Sequence, residues 1–288
     1  MQRLLTPDSA FAWIKMQRQV DRHLFLLVEG DDEDSLLYGH LFGEDVSILV
    51  LGGKPNVLET SRLLASEPVK GVYAVVDRDL DDLTGVAGGY PPNLVATKGY
   101  DLVSDVVGVR PDLFERTLRV HGKDAYDAVE SATGASFIEI CKQLCLRVAA
   151  LRLVNAEKQL GLNLRDFPFA RLINHDFSLK DYSDVISEAN TRSRVSIDVS
   201  SVEVQVRAAT LRIGDDLRFC GGHDLLGAAA ALLRRGGARS VGAAGLAASL
   251  LTASDCETIR RLPIRHSIYA WAEGFSRRAF ECTWALSN

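Results

Sequence analysis

The chain has 288 residues, 47% of them hydrophobic and 25% charged, which are ordinary values for a soluble globular protein with one large domain or two modest ones. Its net charge of −5 and pI near 5.7 argue against non-specific, high-affinity binding to nucleic acid. The longest weakly polar run, VGAAGLAASLLTA (241–253), is too short and too rich in small residues to span a bilayer.

Taken in chain order, the first hundred residues alternate short apolar runs with helix-like segments. HLFLLVEG (23–30) reads as a buried strand, and residues 32–42, with Leu36, Leu37, Leu41 and Phe42, as a helix carrying an apolar stripe. VSILVLG (46–52) is a second strand. A helix follows from about Pro55, a residue suited to a first helical turn, with Val57, Leu58, Leu63 and Leu64 facing inward. GVYAVVD (71–77) is a third strand, NLVAT (93–97) a fourth entered through the turn-forming GGYPP, and 101–108 a short helix. Strands of near-continuous apolar character that alternate with helices predict an α/β fold: a mainly parallel sheet flanked by helices on both faces. Beyond residue 108 the pattern turns helical, with candidates near 124–160, 180–190, 200–218, 224–235, 240–253 and 255–280. RLINHDF (171–177) reads as a short strand. The expected organisation is an α/β domain over 1–108 and a mostly helical extension, 109–288, packed on it.

Charge is unevenly distributed. Residues 1–135 carry 13 basic and 22 acidic side chains, −9, whereas 206–288 carry 11 arginines and 7 acids, +4. An acidic front and a basic rear suit a metal site beside an anion-binding surface, and equally suit two solvated faces. The five cysteines show no paired spacing; Cys141 and Cys145 are one helical turn apart with no second pair to complete a zinc site. Reduced, buried thiols are therefore expected, without disulfides. Charges from Arg3 onward and the lack of an apolar signal core predict a cytoplasmic protein.

In parallel sheets function gathers at the carboxyl ends of strands, and two such ends carry acids. Glu29 closes the first strand. VVDRDLDD (75–82) places Asp77, Asp79 and Asp81 at alternate positions after the third, and ATKGYDLVSD (96–105) adds Asp101 and Asp105 after the fourth. In extended backbone, residues i and i+2 project to one side, so Asp77 and Asp79 are expected to offer carboxylates to one point. Mg²⁺ or Mn²⁺ takes oxygen ligands and keeps several waters, so two or three carboxylates suffice. Glu29 would hold a second ion or move a proton. Plainer readings stand beside this one: Asp31 or Asp32 capping a helix, Asp81 and Asp82 simply solvated. An EF-hand is excluded because the twelfth position from Asp77 is Gly88. Gly52, Gly53 and Lys54 form either a phosphate-contacting loop or a tight turn before a helix.

Strand-Glu-Gly followed by strand-Asp-x-Asp in a short α/β unit resembles the TOPRIM fold. Five stretches in order, LLVEGDDED, LGGKPNVLE, VYAVVDRDLDD, ATKGYDLVSDVV and FCGGHDLLGAAAALL, are similar to motifs of one branch, the DUF4435 TOPRIM-like proteins, and span most of 23–235. The resemblance implies Glu29 as acid/base or metal ligand, Asp77 and Asp79 as ligands, Asp101 as a further ligand, and His223 with Asp224 as a GHD motif. His223 would contact phosphate, or serve the core or a helix cap. The glutamate expected two residues after Asp101 is Val103 here, with Asp105 two residues beyond as a substitute. The function so implied is a metal-dependent nuclease cleaving RNA, such as tRNA, or DNA, of the kind that acts as a bacterial anti-phage effector beside an ABC- or AAA-type ATPase. Lys54, His223, Arg234 and Arg235 would meet phosphates, with Arg239, Arg260, Arg261 and Arg265 in support, since the arginine fork pairs two oxygens. No zinc ribbon suggests a primase, and no separate tyrosine domain a topoisomerase. No membrane partner is expected, and a homo-oligomer is left open. The competing readings are a non-catalytic TOPRIM-like module that docks a partner and a small-molecule phosphohydrolase.

Overall fold

The computed structural model describes residues 6–20, 23–30, 42–67 and 69–282. The helix expected over 32–42, and with it any cap from Asp31 or Asp32, lies outside the described residues apart from Phe42.

Four strands form one all-parallel sheet in the order β2-β1-β3-β4: β1 (Leu24–Val28), β2 (Val46–Val50), β3 (Val72–Val76) and β4 (Leu94–Ala96). Leu24 pairs with Val46 and Phe25 with Val72, so β1 is central and its apolar run LFLLV is buried throughout. A strand covered on both faces has no polar side to alternate with, which explains the unbroken run. The side chains still alternate between two cores. Phe25, Leu27, Ala74 and Val76 face one core with α1 (Pro7–Val20) and α2 (Lys54–Ser66); Leu24, Leu26, Val28 and Val75 face the other. Helix α1 was not anticipated. Its signal is modest: a proline and an aspartate in the first turn, then Ala10 and Ile14 buried one turn apart.

After β3 comes a single helical turn, α3 (Asp81–Thr84), and after β4 comes α4 (Leu102–Val109). The rest of the chain is helical: α5 (Pro111–Thr133), α6 (Phe137–Lys158), α7 (Tyr182–Arg192), α8 (Val199–Ile213), α9 (Gly222–Arg235), α10 (Ala243–Thr252), α11 (Cys256–Arg261) and α12 (Arg265–Glu273). Helix α6 lies at the centre of this layer, with Leu144, Val148, Leu151 and Leu153 all fully buried. The core on this side runs without a break from β1 through α4 into α6 and α9, so the helical extension and the sheet share one hydrophobic interior.

Several boundaries differ from expectation. The helix expected over 124–160 is two, divided at Gly134, which takes a left-handed conformation (φ 68°) as a helix C-cap. The helix expected over 255–280 is also two, separated at Leu262–Ile264, where Pro263 has no amide hydrogen to continue the ladder. Residues 171–177 are not a strand: they finish a 3-10 turn (Phe169–Leu172) and enter a turn closed by one bridge, Ile173–Leu179. The expectation for the cysteines needs correction as well. Cys256 and Cys282 form a disulfide, while Cys141, Cys145 and Cys220 remain free and buried. A spacing of 26 residues gave no sequence signal; the two meet because the chain end returns to the sheet edge, where Phe280 stacks on Phe42 at 5.1 Å. No helix among the described residues is long and apolar enough to cross a membrane.

Candidate functional site

The carboxyl ends of β1 and β3 lie side by side, and their acids meet there. The Asp77 amide donates to Glu29 Oε1 at 2.8 Å. Gly30 (φ 71°) turns the chain out of β1 so close to β2 that a Cβ there would sit 2.0 Å from Val50 Cγ1, which explains the glycine after the glutamate. The Glu29 carbonyl accepts from Gly52 and Gly53, so the glycine loop before α2 is hung on the same strand end. Burial, with the Asp79 charge in support, pushes the Glu29 carboxyl up to about 7. The Asp77 and Lys54 amides and the Lys54 charge pull the other way. A carboxyl poised near neutrality can either give or take a proton.

Lys54 opens α2. A cation in the first turn opposes the helix dipole, so its position calls for a local reason. That reason is a pair of ion pairs: Lys54 Nζ lies 2.7 Å from Asp79 Oδ2 and 2.7 Å from Asp81 Oδ2. Burial works to depress the ammonium, but the two aspartates outweigh it and hold it above the usual lysine range. The Tyr90 hydroxyl donates to the same Asp81 oxygen at 2.5 Å. Asp81, read from sequence as solvated or as one more acid in the series, is thus a half-buried anchor for Lys54.

The extended backbone expected to carry Asp77 and Asp79 on one side ends before them. Strand β3 ends at Val76, and Asp79 adopts a left-handed conformation (φ 51°), open to aspartate more than to most residues. The turn is fixed by the Asp79 amide, which donates to the Tyr100 carbonyl at 2.7 Å. Arg78 adds its own amide on the Thr97 hydroxyl and its guanidinium on the Thr97 carbonyl. Glu29 therefore accepts from the Asp77 amide with Asp79 near enough to act on its charge, while Asp79 and Asp81 flank Lys54. The donors suit a hard divalent ion by chemistry, but among the described residues no three acids, histidines or cysteines are gathered to hold one.

Both carboxylate oxygens of Asp101 are taken up by backbone amides. Its Oδ1 accepts from the Ser104 amide at 2.8 Å, capping α4, and its Oδ2 from the Gly222 amide at 2.6 Å, capping α9. Burial raises its carboxyl to about 6. Gly222 permits this approach: a Cβ would come within 2.7 Å of Asp101 Oδ1 and 2.4 Å of Val103 Cβ. Val103, standing where a glutamate was expected, packs against that helix start. Asp105 does not substitute for it, since its carboxylate accepts from the Lys98 and Gly99 amides and shapes the loop after β4.

Of the remaining candidates, His223 is exposed and borders a cavity of about 540 Å³ together with Arg234, whose Nη1 donates to the Val241 carbonyl. Asp224 is buried and paired in a fork with Arg152: Nε to Oδ2 at 3.1 Å and Nη2 to Oδ1 at 3.0 Å. Arg235 serves the fold, donating to the carbonyls of Ala170 and Ile173 and to His175. Arg260 and Arg261 both grip Glu257. Sequence reading missed Arg152 altogether. It lies mid-helix in a wholly apolar stretch of α6, and a lone charge among buried neighbours was the available signal.

No protein-family model, no curated protein and no solved structure matches the chain.

Proposed function

We propose that the chain is a metal-dependent phosphodiesterase that acts on nucleic acid, with its reacting centre at the ends of β1 and β3. The observation that carries this reading is the apposition of Glu29 with Asp77, beside an ammonium already bound by Asp79 and Asp81. Carboxylates that converge on a cation at the carboxyl edge of a parallel sheet are the setting in which phosphoryl chemistry is commonly done. Glu29, with a carboxyl near 7, is the acid/base: it takes the proton of an attacking water, or returns one to the leaving oxygen. Asp77 fixes Glu29 through its backbone amide. Mg²⁺ or Mn²⁺ would neutralise charge developing on the phosphate, but these acids do not form a ready cage, and Lys54 would first have to leave the aspartates.

A nuclease assay tests the reading. RNA and DNA are incubated with Mg²⁺, Mn²⁺ or EDTA, using the wild type and Asp77→Ala. Metal-dependent cleavage that disappears in the variant supports it, and equal background in every lane defeats it. Cleavage of a model phosphodiester with polymers left intact would point to a small-molecule phosphohydrolase.

The Lys54 ion pairs favour a second reading, a non-catalytic module whose acids are permanently neutralised from within. An anti-phage setting and an ATPase partner rest on the motif resemblance alone. Toxicity on expression that requires Asp77 separates the effector from the module.

A further inference from the structure

Two cavities lie along one line on the joint between sheet and helical layer. The first, about 830 Å³, has Asp79 and Asp81 on its wall. The second, about 540 Å³, has His223 and Arg234. Tyr100, Arg152 and Arg165 belong to both, so these three side chains form the neck between them. Both volumes fall in the roughly 300–1,000 Å³ range of pockets that enclose small ligands or single residues of a polymer.

The chemistry of the neck is specific. Arg152 is held rigidly: Nε and Nη2 are committed to Asp224, and Nη2 also donates 2.7 Å to the Leu164 carbonyl. Its Nη1 makes no such bond, and the side chain stays 24% exposed to the cavities it lines. A fixed guanidinium with one nitrogen open is a preorganised donor to a single phosphate. Asp224 takes up the charge of Arg152, so what the neck offers a phosphate is the remaining Nη1 donor; the other nearby acids are engaged elsewhere, Asp79 and Asp81 by Lys54, Glu157 by Arg212, and Asp101 by two backbone amides. Arg165, with a side chain 91% exposed and 3.7 Å from the equally open Asp166 carboxylate, and Arg234 stand at the rims. Tyr100, half-buried between the cavities, offers a ring to either side, and burial keeps its hydroxyl protonated well above the usual tyrosine range.

We propose that the joined cavities hold two successive nucleotides of a single-stranded nucleic acid, with Arg152 on the phosphate between them and Tyr100 against a base. The next phosphate then falls to the side of the neck walled by Asp79 and Asp81. The inference rests on the phosphodiesterase reading for the identity of the polymer, and sets its strandedness. A duplex presents paired bases and a convex backbone to the protein and does not enter recesses of this size; unpaired nucleotides splay, stack on rings and pass a neck.

Fluorescence anisotropy in EDTA, where no metal-dependent cleavage occurs, tests it with labelled twelve-nucleotide RNA, DNA and the matching duplexes. Single strands, of RNA, DNA or both, are expected to bind at least tenfold more tightly than duplexes. Arg165→Glu, remote from the core, is expected to weaken single-strand binding about tenfold with an unchanged melting temperature. Arg152→Lys, which keeps the charge beside Asp224 but loses the fork, is expected to weaken it and to flatten its salt dependence. Duplex binding as tight as single-strand binding, or an Arg165→Glu variant that binds like wild type, overturns the proposal. Single-strand binding without cleavage in any metal keeps it and defeats the hydrolytic reading; cleavage without single-strand preference does the reverse.

Discussion

Lys54 and Glu29 set the behaviour of the site as single residues. The ammonium neutralises two aspartates that would otherwise repel, so it is a resident counter-ion in competition with any divalent metal. Lys54→Met is expected to raise Mn²⁺ affinity at least tenfold in a calorimetric titration. It should also lower stability in EDTA by about 1–2 kcal/mol, a figure kept small because the Asp79 side chain is 41% exposed. Unchanged affinity in the variant would show that metal and lysine do not share the aspartates. Glu29 carries a pH signature. Its folded carboxyl titrates near 7, above its unfolded value, so the native state holds the extra proton between about 4.5 and 7. Stability therefore falls as pH rises through that window, by at most about 3 kcal/mol. Glu29→Gln removes the charge and should flatten this part of the profile in urea melts recorded from pH 4 to 8. A profile identical to wild type would place the titration elsewhere.

Among the elements, one carboxylate joins two helices. Asp101 caps α4 through Ser104 and receives the first amide of α9 at Gly222, which docks a helix of the extension onto the loop after β4. Asp101→Ala removes both acceptors. The expected cost is about 1–3 kcal/mol by urea denaturation, more than a single cap loss because a buried amide is left without a partner. Asp101→Asn, which keeps one acceptor oxygen, should recover part of it. A metal-ligand role would predict little stability change in EDTA from either substitution. Around β3 the same logic holds: Arg78 ties the strand-end loop to Thr97, so the left-handed turn at Asp79 is imposed by its neighbour strand.

At the scale of the whole molecule, the sheet is enclosed by α1 and α2 on one face and by α4 with the helical layer on the other. The Cys256–Cys282 bond closes a loop of 26 residues that carries α11 and α12 back to Phe42 beside β2. A loop of that length restricts the unfolded chain by on the order of 3 kcal/mol. Reductant, or Cys256→Ser, is accordingly expected to lower the melting temperature measured by calorimetry while leaving the buried Cys141, Cys145 and Cys220 unmodified by alkylation in the folded state. An identical melting temperature in reductant would mean that the packing of Phe280 on Phe42 holds the chain end without the bond.

The sequence by itself determined the α/β pattern. Apolar runs such as LFLLV and VYAVV, buried on both faces, leave no polar alternation and so announce a covered parallel sheet. It also placed Glu29 and Asp77 at adjacent strand ends, because strand termini are punctuated locally by Glu-Gly and Asp-Arg-Asp. Only the tertiary structure decided what each acid does. Asp79 was turned by the bond its amide donates to the Tyr100 carbonyl in the loop after β4, Asp101 was claimed by a helix start 121 residues further on, and Lys54 was drawn between two aspartates from a different strand end. Arg152 and the cysteine pair were hidden for the same reason. Periodicity and turn chemistry are properties of neighbours in sequence, whereas the partner of a carboxylate, a guanidinium or a thiol is set by which distant elements the shared core brings within 3 Å.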